Sequence, residues 1–317
     1  MANSGWSHAE SPFHAGERAI QTRLGVRDRL ERQGRQIIRD YLPDQHREFF
    51  AQLAYVLVGT VDRRGQPWAS ILVGKPGFIH TPDARTLHLA AQPLVGDPLA
   101  QTLAEGNDIG LLGIELHTRR RNRINGTLTA VSSEGMTVAV GQSFGNCPQY
   151  IQMRRFEPRS TGAAIATSVR SLTALTDVER AMIAAADTFF IATAYQAATI
   201  ASGVDVSHRG GQPGFVRIDS SQTLMIPDFS GNLHFNTFGN LELNPRAGLI
   251  FIDFERGNLL YLTGTAKVIW QGDDVAAYPG AERLLRFYLS EGLLVTGSLP
   301  LGWSPPESPY WRDTGPW

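Results

Sequence analysis

Short apolar runs rich in β-branched and aromatic residues alternate along the chain with clusters of Gly, Asp, Asn and Arg. Runs of this length and composition predict β-strands, and the clusters between them predict turns. Eight such runs fall into two groups of four, at 55–61, 68–73, 86–90 and 109–114, then at 189–194, 199–207, 223–226 and 247–254. The spacing suits hairpins rather than βαβ units and therefore predicts small antiparallel barrels.

The two groups belong to an internal repeat in which residue 70 corresponds to 207 and residue 110 to 248. Segment 70–78 shares Ser, Gly and a Pro-Gly-Phe triplet with 207–215. Thr-Leu at 86–87 recurs at 223–224. Gly-Leu-Leu-Gly-Ile-Glu at 110–115 matches Gly-Leu-Ile-Phe-Ile-Asp at 248–253. Several matches in the same order predict that one domain has been duplicated within the chain.

Each copy is predicted to begin with a helix, opened by Asp44 in the first copy and by a capping box of Thr176 and Glu179 in the second. Further helices are predicted over 17–40 and 281–294. The expected organisation is an N-terminal helical extension (1–43), a first barrel (44–140), an irregular linker (141–175), a second barrel (176–275) and a C-terminal helix and tail (276–317).

The composition of the chain mainly excludes certain classes of partner and of binding site. With 29 basic and 30 acidic residues the formal charge is −1, which gives no reason to expect nucleic acid or an anionic membrane as a partner. No leader-type segment or membrane-length apolar run is present, so a cytoplasmic protein is expected. Cys147 is the only cysteine, which excludes disulfides and cysteine-ligated iron–sulfur sites within one chain. The eight histidines lack zinc-type spacing, so no metal is expected.

Four segments carry a family resemblance: 119–126, 205–216, 226–232 and 239–246. With these, the chain resembles the pyridoxamine 5′-phosphate oxidase-like FMN-binding split barrels, and more narrowly their double-barrel, predicted flavin-nucleotide-binding branch. The resemblance covers most of residues 45–270. It implies a mainly β fold with flanking helices, in which two tandem split barrels form a pseudo-dimer within the chain. It also implies that flavin mononucleotide (FMN) lies in a groove between the barrels.

The strongest candidate for the cofactor site is Ser207-His208-Arg209-Gly210-Gly211. The arginine fork suits a phosphate, and glycines allow backbone N–H groups to come close; the plainer interpretation is a hairpin corner whose arginine faces water. Leu72 occupies the Arg209 position in the first copy, so the second copy is expected to hold the phosphate, with Lys75 as a possible substitute cation.

Further cofactor-binding candidates lie in or beside the other matching segments and in the stretch 145–150, although their plainer interpretations are turn formers or solvated charges. They are Pro227, Asp228, Asn232, Thr237, Asn240, Arg121, Arg123 and Gln149.

The resemblance favours an FMN-dependent oxidoreductase acting on a small molecule, with NAD(P)H or a separate electron donor. No general acid or base is evident; His208 is a weak candidate for proton transfer because an ordinary histidine titrates near neutrality. The alternatives are a non-catalytic flavin carrier or sensor, and a barrel that binds haem or a deazaflavin. The chain is expected to act as a monomeric pseudo-dimer or a homodimer.

Overall fold

The computed structural model describes residues 5–158, 167–197, 199–307 and 317. The first seven strands form one antiparallel sheet: β1 (Tyr55–Val61), β2 (Pro67–Val73), β3 (Ile79–Asp83), β4 (Thr86–Leu89), β5 (Asp108–Glu115), β6 (Arg120–Ser132) and β7 (Gly135–Gly145). Their spatial order is β2-β1-β5-β6-β7-β4-β3. Helices α1 (Ala15–Arg23), α2 (Arg27–Ile37) and α3 (Asp44–Ala51) precede them, and a 3-10 turn (Pro98–Gln101) lies between β4 and β5.

The second half of the chain repeats this sheet strand for strand, in the order β11-β10-β14-β15-β16-β13-β12. The elements are β8 (Phe156–Pro158), β9 (Ser168–Leu172), α4 (Asp177–Ala185), β10 (Thr188–Tyr195), β11 (Gly203–Gly210), β12 (Arg217–Ile218), β13 (Thr223–Phe229), α5 (Asn236–Leu243), β14 (Arg246–Ile252), β15 (Leu259–Ile269), α6 (Asp273–Ala277), β16 (Ala281–Thr296) and β17 (Leu301–Trp303). Strand β9 adds to the edge of β16, and β8 pairs with β17 as a separate ribbon.

The strand register relates the two halves residue by residue. Leu112 of β5 lies opposite Arg123 of β6, and Ile250 of β14 lies opposite Tyr261 of β15. Each residue of the second pair follows its counterpart by 138 positions, the offset of the sequence repeat. The predicted duplication and the fold class are therefore confirmed: the chain is mainly β, with two tandem split barrels and flanking helices.

The helices agree only partly with expectation. The segment 17–40 is largely helical, as predicted, but forms two helices, α1 and α2. The capping box of Thr176 and Glu179 is present at the start of α4. Helix α3 begins at Asp44, as predicted, but its N-cap residue is Pro43, so the Asp44 side chain does not cap it. No helix in the described part of the chain is both long and apolar enough to cross a membrane.

The helix predicted over 281–294 is wrong, because this segment is β16, which pairs with both β15 and β13 in the second sheet. Its apolar residues suit either period, since Leu284, Phe287 and Leu294 lie near helical spacing. In the sheet, however, buried Phe287 and Leu289 alternate with exposed Tyr288 and Ser290. Hydrogen bonding to β15 on one side and to β13 on the other makes this segment a strand.

The two barrels approach backbone to backbone at two equivalent glycines. A Cβ on Gly110 would lie 2.4 Å from the carbonyl oxygen of Val204, and a Cβ on Gly248 would lie 2.2 Å from that of Pro67. Both pairs join a central strand of one barrel to the second strand of the other. Because any side chain at these glycines would collide with backbone, the contact depends on their lack of a Cβ.

We expect Gly110→Ala and Gly248→Ala each to lower the free energy of unfolding by about 1–3 kcal/mol, since the new methyl group overpacks the junction. Gly141→Ala is the matched control, because its Cβ would come no closer than 3.4 Å to any neighbour. Chemical denaturation of the three variants measures the difference. Equal stability of all three would show that the junction tolerates a wider spacing of the barrels.

Candidate functional site

One pocket lies at the junction of the two barrels. The first barrel contributes β5 and β6, the second contributes β11, β13, β16 and the start of α5, and the segment that follows β7 closes one side. Its lining residues are Leu112, Arg121, Arg123, Asn146, Cys147, Gln149, Tyr150, Ser207, His208, Arg209, Gly210, Phe215, Pro227, Asp228, Phe229, Ser230, Gly231, Asn232, Leu233, Phe235, Asn236, Thr237, Phe238, Glu282 and Arg283.

The first barrel places two arginines in this pocket from alternate positions of β6. Arg123 is buried; its Nη1 donates to Asp205 Oδ1 at 2.6 Å and its Nη2 donates to Ser207 Oγ, so it ties β6 to β11. Arg121 donates through Nε to the carbonyl oxygen of Cys147 at 2.7 Å. It forms no ion pair within the described residues, and burial, followed by repulsion from Arg123, lowers its pKa to about 9. Arg121 therefore presents a cation whose charge no nearby carboxylate compensates.

The second barrel adds two more arginines around one carboxylate. Arg209 Nη2 lies 3.8 Å from Asp228 Oδ1, and Arg283 Nε lies 3.4 Å from Asp228 Oδ2. Their guanidinium groups also lie against the first turn of α5, with Arg209 5.4 Å from the ring centre of Phe238 and Arg283 5.0 Å from that of Phe235. Burial raises the pKa of Asp228 even though both arginines oppose the shift.

His208 lines the pocket as a buried side chain. Burial, reinforced by Arg121 and Arg209, lowers its pKa well below the usual value. The expectation that it titrates near neutrality is therefore wrong, and the imidazole is uncharged at neutral pH. Its Nε2 has no hydrogen-bond partner within the described residues.

Polar side chains behind the pocket tie α5 to β11 and β10. Thr237 Oγ1 donates to Ser207 Oγ at 3.1 Å. Asn240 Nδ2 donates to Asp205 Oδ2 at 2.8 Å and contacts Thr193 Oγ1 at 3.1 Å. Since Asp205 also holds Arg123, one carboxylate joins the helix of the second barrel to the arginine of the first.

The structure brings most of the predicted site residues together. Those that line the pocket are Ser207, His208, Arg209, Gly210, Pro227, Asp228, Asn232, Thr237, Arg121, Arg123 and Gln149. At Gly210 a Cβ would lie 2.2 Å from the carbonyl oxygen of Tyr150, so this glycine lets the closing segment approach.

Three predicted residues lie outside the pocket lining. Asn240 is one layer behind, bonded to Asp205. Gly211 lies against the ring of Phe215, where a Cβ would come within 2.6 Å. Lys75 is exposed in the turn after β2.

Sequence reasoning missed the contribution of β16 and of the turn before α5. Arg283 and Glu282 were assigned to a helix outside the barrel, and Phe235 and Phe238 were not singled out. Strand alternation around Phe287 is the signal that would have placed Arg283 in the second sheet.

One segment of the chain matches a known protein family. Residues 42–171 match the family model described as pyridoxamine 5′-phosphate oxidase. The first barrel is therefore similar to this family. The resemblance inferred from the sequence is thus confirmed, and the match spans α3, β1–β7 and the segment that closes the pocket.

The chain is similar to HupZ of Group A Streptococcus (15% identity, 36% of this chain and 89% of that chain, TM-score 0.30). It is also similar to a FAD-binding protein of Mesorhizobium loti (12%, 40% and 98%, TM-score 0.27) and to the FAD-binding protein of Mycobacterium smegmatis (13%, 39% and 98%, TM-score 0.28). No curated protein matches the chain.

Because the two barrels are related by the repeat, their junction has a second groove that is equivalent to the open pocket. Different residues line this second groove. There, Leu259 and Tyr261 replace Arg121 and Arg123, and Ile71 and Leu72 replace His208 and Arg209, as the strand registers show. Tyr261 is fully buried and packs in an apolar cluster with Trp68. The second groove is therefore filled by the protein's own side chains.

A buried carboxyl group, Asp97, lies in this second groove. It accepts hydrogen bonds from Ser70 Oγ at 2.6 Å, the backbone N–H of Leu99 at 2.8 Å and Tyr261 Oη at 3.1 Å. Burial nevertheless raises its pKa from 3.8 to about 6, because these three bonds do not offset the loss of water.

Since the pKa of Asp97 is higher in the folded chain than in the unfolded chain, its contribution to stability is full below about pH 4 and is lost as pH rises to about 6. The loss is on the order of 3 kcal/mol for two pKa units. An Asn at this position can still accept from Ser70 Oγ and the Leu99 N–H through Oδ1, and its Nδ2 can donate to Tyr261 Oη in place of the bond that Asp97 accepts, but it cannot ionise. We expect the stability of Asp97→Asn relative to the natural chain to increase between pH 4 and pH 7 in denaturation experiments. A difference that does not change with pH would contradict the shifted pKa.

Proposed function

We propose that the chain binds FMN in the open pocket, one molecule per chain, and acts as an FMN-dependent oxidoreductase on a small molecule. The observation that carries the proposal is the convergence of four guanidinium groups from both barrels on one pocket that also has aromatic walls. Only two carboxylates, Asp228 and Glu282, line the same pocket. An excess of cationic donors suits a phosphate monoester, which carries close to two negative charges at neutral pH.

The polar atoms of the pocket fit such a ligand. Within the described residues, Arg123 Nε, Arg283 Nη1, Asn146 Nδ2 and His208 Nε2 are buried without hydrogen-bond partners. Buried donors without partners are rare in folded proteins because each costs about 1–3 kcal/mol. FMN has acceptors at its phosphate, its ribityl hydroxyls and the carbonyls of its ring, so it supplies the chemistry that these atoms lack.

The residues divide into two groups by chemistry. Arg121, Arg123 and Arg209 supply cationic donors for the phosphate, with the hydroxyls of Ser207 and Thr237 beside them. The strand β13 residues Pro227 and Asp228, the following Asn232 and the neighbouring rings of Tyr150 and Phe229 suit the flavin ring. Bound flavin supplies the redox chemistry, and the protein contributes binding, orientation and exclusion of water.

The protein offers no charged general acid at His208, because its imidazole is neutral. What His208 can do is form one hydrogen bond through Nε2 to a group in the pocket. We therefore expect the neutral His208 side chain to orient a group bound in the pocket rather than to donate a proton to it. The electron donor in this proposal is NAD(P)H or a separate electron donor, and reduction kinetics distinguish the two.

One observation favours a second candidate, a haem protein. A neutral, buried imidazole whose Nε2 faces a pocket without a partner is also the form in which histidine ligates haem iron. The visible spectrum of the purified protein separates the two, since flavin and haem absorb differently. Reduction of bound flavin by NAD(P)H, followed by reoxidation with a substrate, would then separate an oxidoreductase from a carrier or sensor.

We expect one FMN per chain and expect Arg209→Ala to raise the FMN dissociation constant about 10- to 100-fold, since it removes a charge-assisted contact of about 1.5–3 kcal/mol. Arg120→Ala is the control: Arg120 is exposed, stacks on Phe49 and lies outside the pocket. Fluorescence titration with FMN gives affinity and stoichiometry together.

Three results would count against the proposal. Two FMN per chain would contradict the closed second groove. Equal affinities of the Arg209→Ala and Arg120→Ala variants would remove Arg209 from the phosphate site, and failure of the natural chain to bind FMN would remove the cofactor itself.

A further inference from the structure

The pocket wall just before α5 has a strained backbone. Leu233 and Phe235 adopt φ values of 61° and 65°, in the left-handed region that residues other than glycine rarely occupy. Such residues cost about 1–3 kcal/mol each and persist only where the surrounding structure holds them. Both line the pocket, as do Asn236 and Thr237. Moreover, no side chain caps α5 at its N-cap residue, Phe235.

Two buried side chains of the N-terminal helix α1 hold this wall from behind. Gln21 Nε2 donates to the carbonyl oxygen of His234 at 3.2 Å. Glu17 Oε1 accepts from Asn236 Nδ2 at 2.6 Å. The two residues are four positions apart on one face of α1 and are 3% and 0% exposed. They therefore contact the strained segment on both sides of Phe235.

The position of α1 against α5 is itself tightly constrained. A Cβ on Gly16 would lie 2.0 Å from the carbonyl oxygen of Gly239, and a Cβ on Gly239 would lie 2.5 Å from Cγ of Glu17. A capping box orients the start of α1, in which the backbone N–H of His14 donates to Glu17 Oε2 at 2.8 Å. With backbones in contact, α1 cannot slide along α5 without losing both side-chain contacts.

We propose that α1 is a brace that fixes the strained pocket wall, and that Glu17 and Gln21 are positioning residues of the ligand site. The link to ligand affinity rests on the proposed FMN function, whereas the bracing of residues 233–237 does not. The N-terminal extension thus supports the pocket from outside both barrels, although none of its described residues (from 5 onward) lines the pocket.

The test compares Glu17→Ala and Gln21→Ala with Thr22→Ala in the full chain. Thr22 is exposed on the same helix, and its hydroxyl donates to the carbonyl oxygen of Arg18. Hydrogen exchange of the backbone amides of 233–238 is followed without ligand, and FMN is then titrated. We expect about tenfold faster exchange in this segment and about tenfold weaker FMN binding in both variants, as for the loss of one buried hydrogen bond, but not in Thr22→Ala.

Glu17→Gln provides a partial rescue. Its single amide oxygen can accept from Asn236 Nδ2, but its amide nitrogen cannot accept from the backbone N–H of His14, as Glu17 Oε2 does. FMN affinity higher than that of Glu17→Ala in this variant supports positioning through the Asn236 bond. If Glu17→Ala does not fold, Gln21→Ala and Glu17→Gln carry the comparison.

Exchange of 233–238 that matches Thr22→Ala in both variants would overturn the brace. Faster exchange with unchanged FMN affinity would overturn its role in the ligand site. A natural chain that does not bind FMN would refute the proposed function, and the exchange data would still decide whether α1 braces the wall.

Discussion

The close contact between the two barrels is the constraint on which the rest of the structure depends. It is possible only because Gly110 and Gly248 have no side chain, so that each meets a backbone carbonyl of the other barrel. At this spacing Arg123 of one barrel reaches Asp205 and Ser207 of the other, and the pocket walls come from both halves. A wider junction would leave the buried guanidinium without its partners, which is far more costly than the loss of an exposed ion pair.

Duplication supplied two equivalent grooves, and burial explains why they now differ. Arg121 and Arg123 cannot be enclosed without carboxylates, hydrogen-bond acceptors or an anionic ligand, so a groove that keeps them stays polar and open. The equivalent Leu259 and Tyr261 need no such partner and pack with Trp68 into the apolar core between the barrels. One groove thus keeps an open, polar pocket, and the other is filled by packed side chains around the buried carboxyl of Asp97.

Polar contacts extend the open site well beyond its lining. Asp205 receives bonds from Arg123 and Asn125 of the first barrel and from Asn240 of α5. Helix α5 in turn meets α1 of the N-terminal extension through Gly16 and Gly239. Three parts of the chain that are far apart in sequence therefore share one hydrogen-bonded framework, and the strained residues Leu233 and Phe235 lie where that framework meets the pocket.

The sequence by itself determined the duplication, the strand-rich fold, the capping box of α4 and most of the pocket residues, because repeats, strand alternation and the motif around Arg209 are local signals. Only the tertiary structure decided the rest. The segment 281–294 suits helix or strand, and pairing with β13 and β15 made it β16, which brought Arg283 into the pocket. The charge state of His208 depends on burial and on Arg121, which lies 87 positions away. Each groove is lined by side chains from both barrels. No local sequence pattern therefore predicts which of the two grooves stays open.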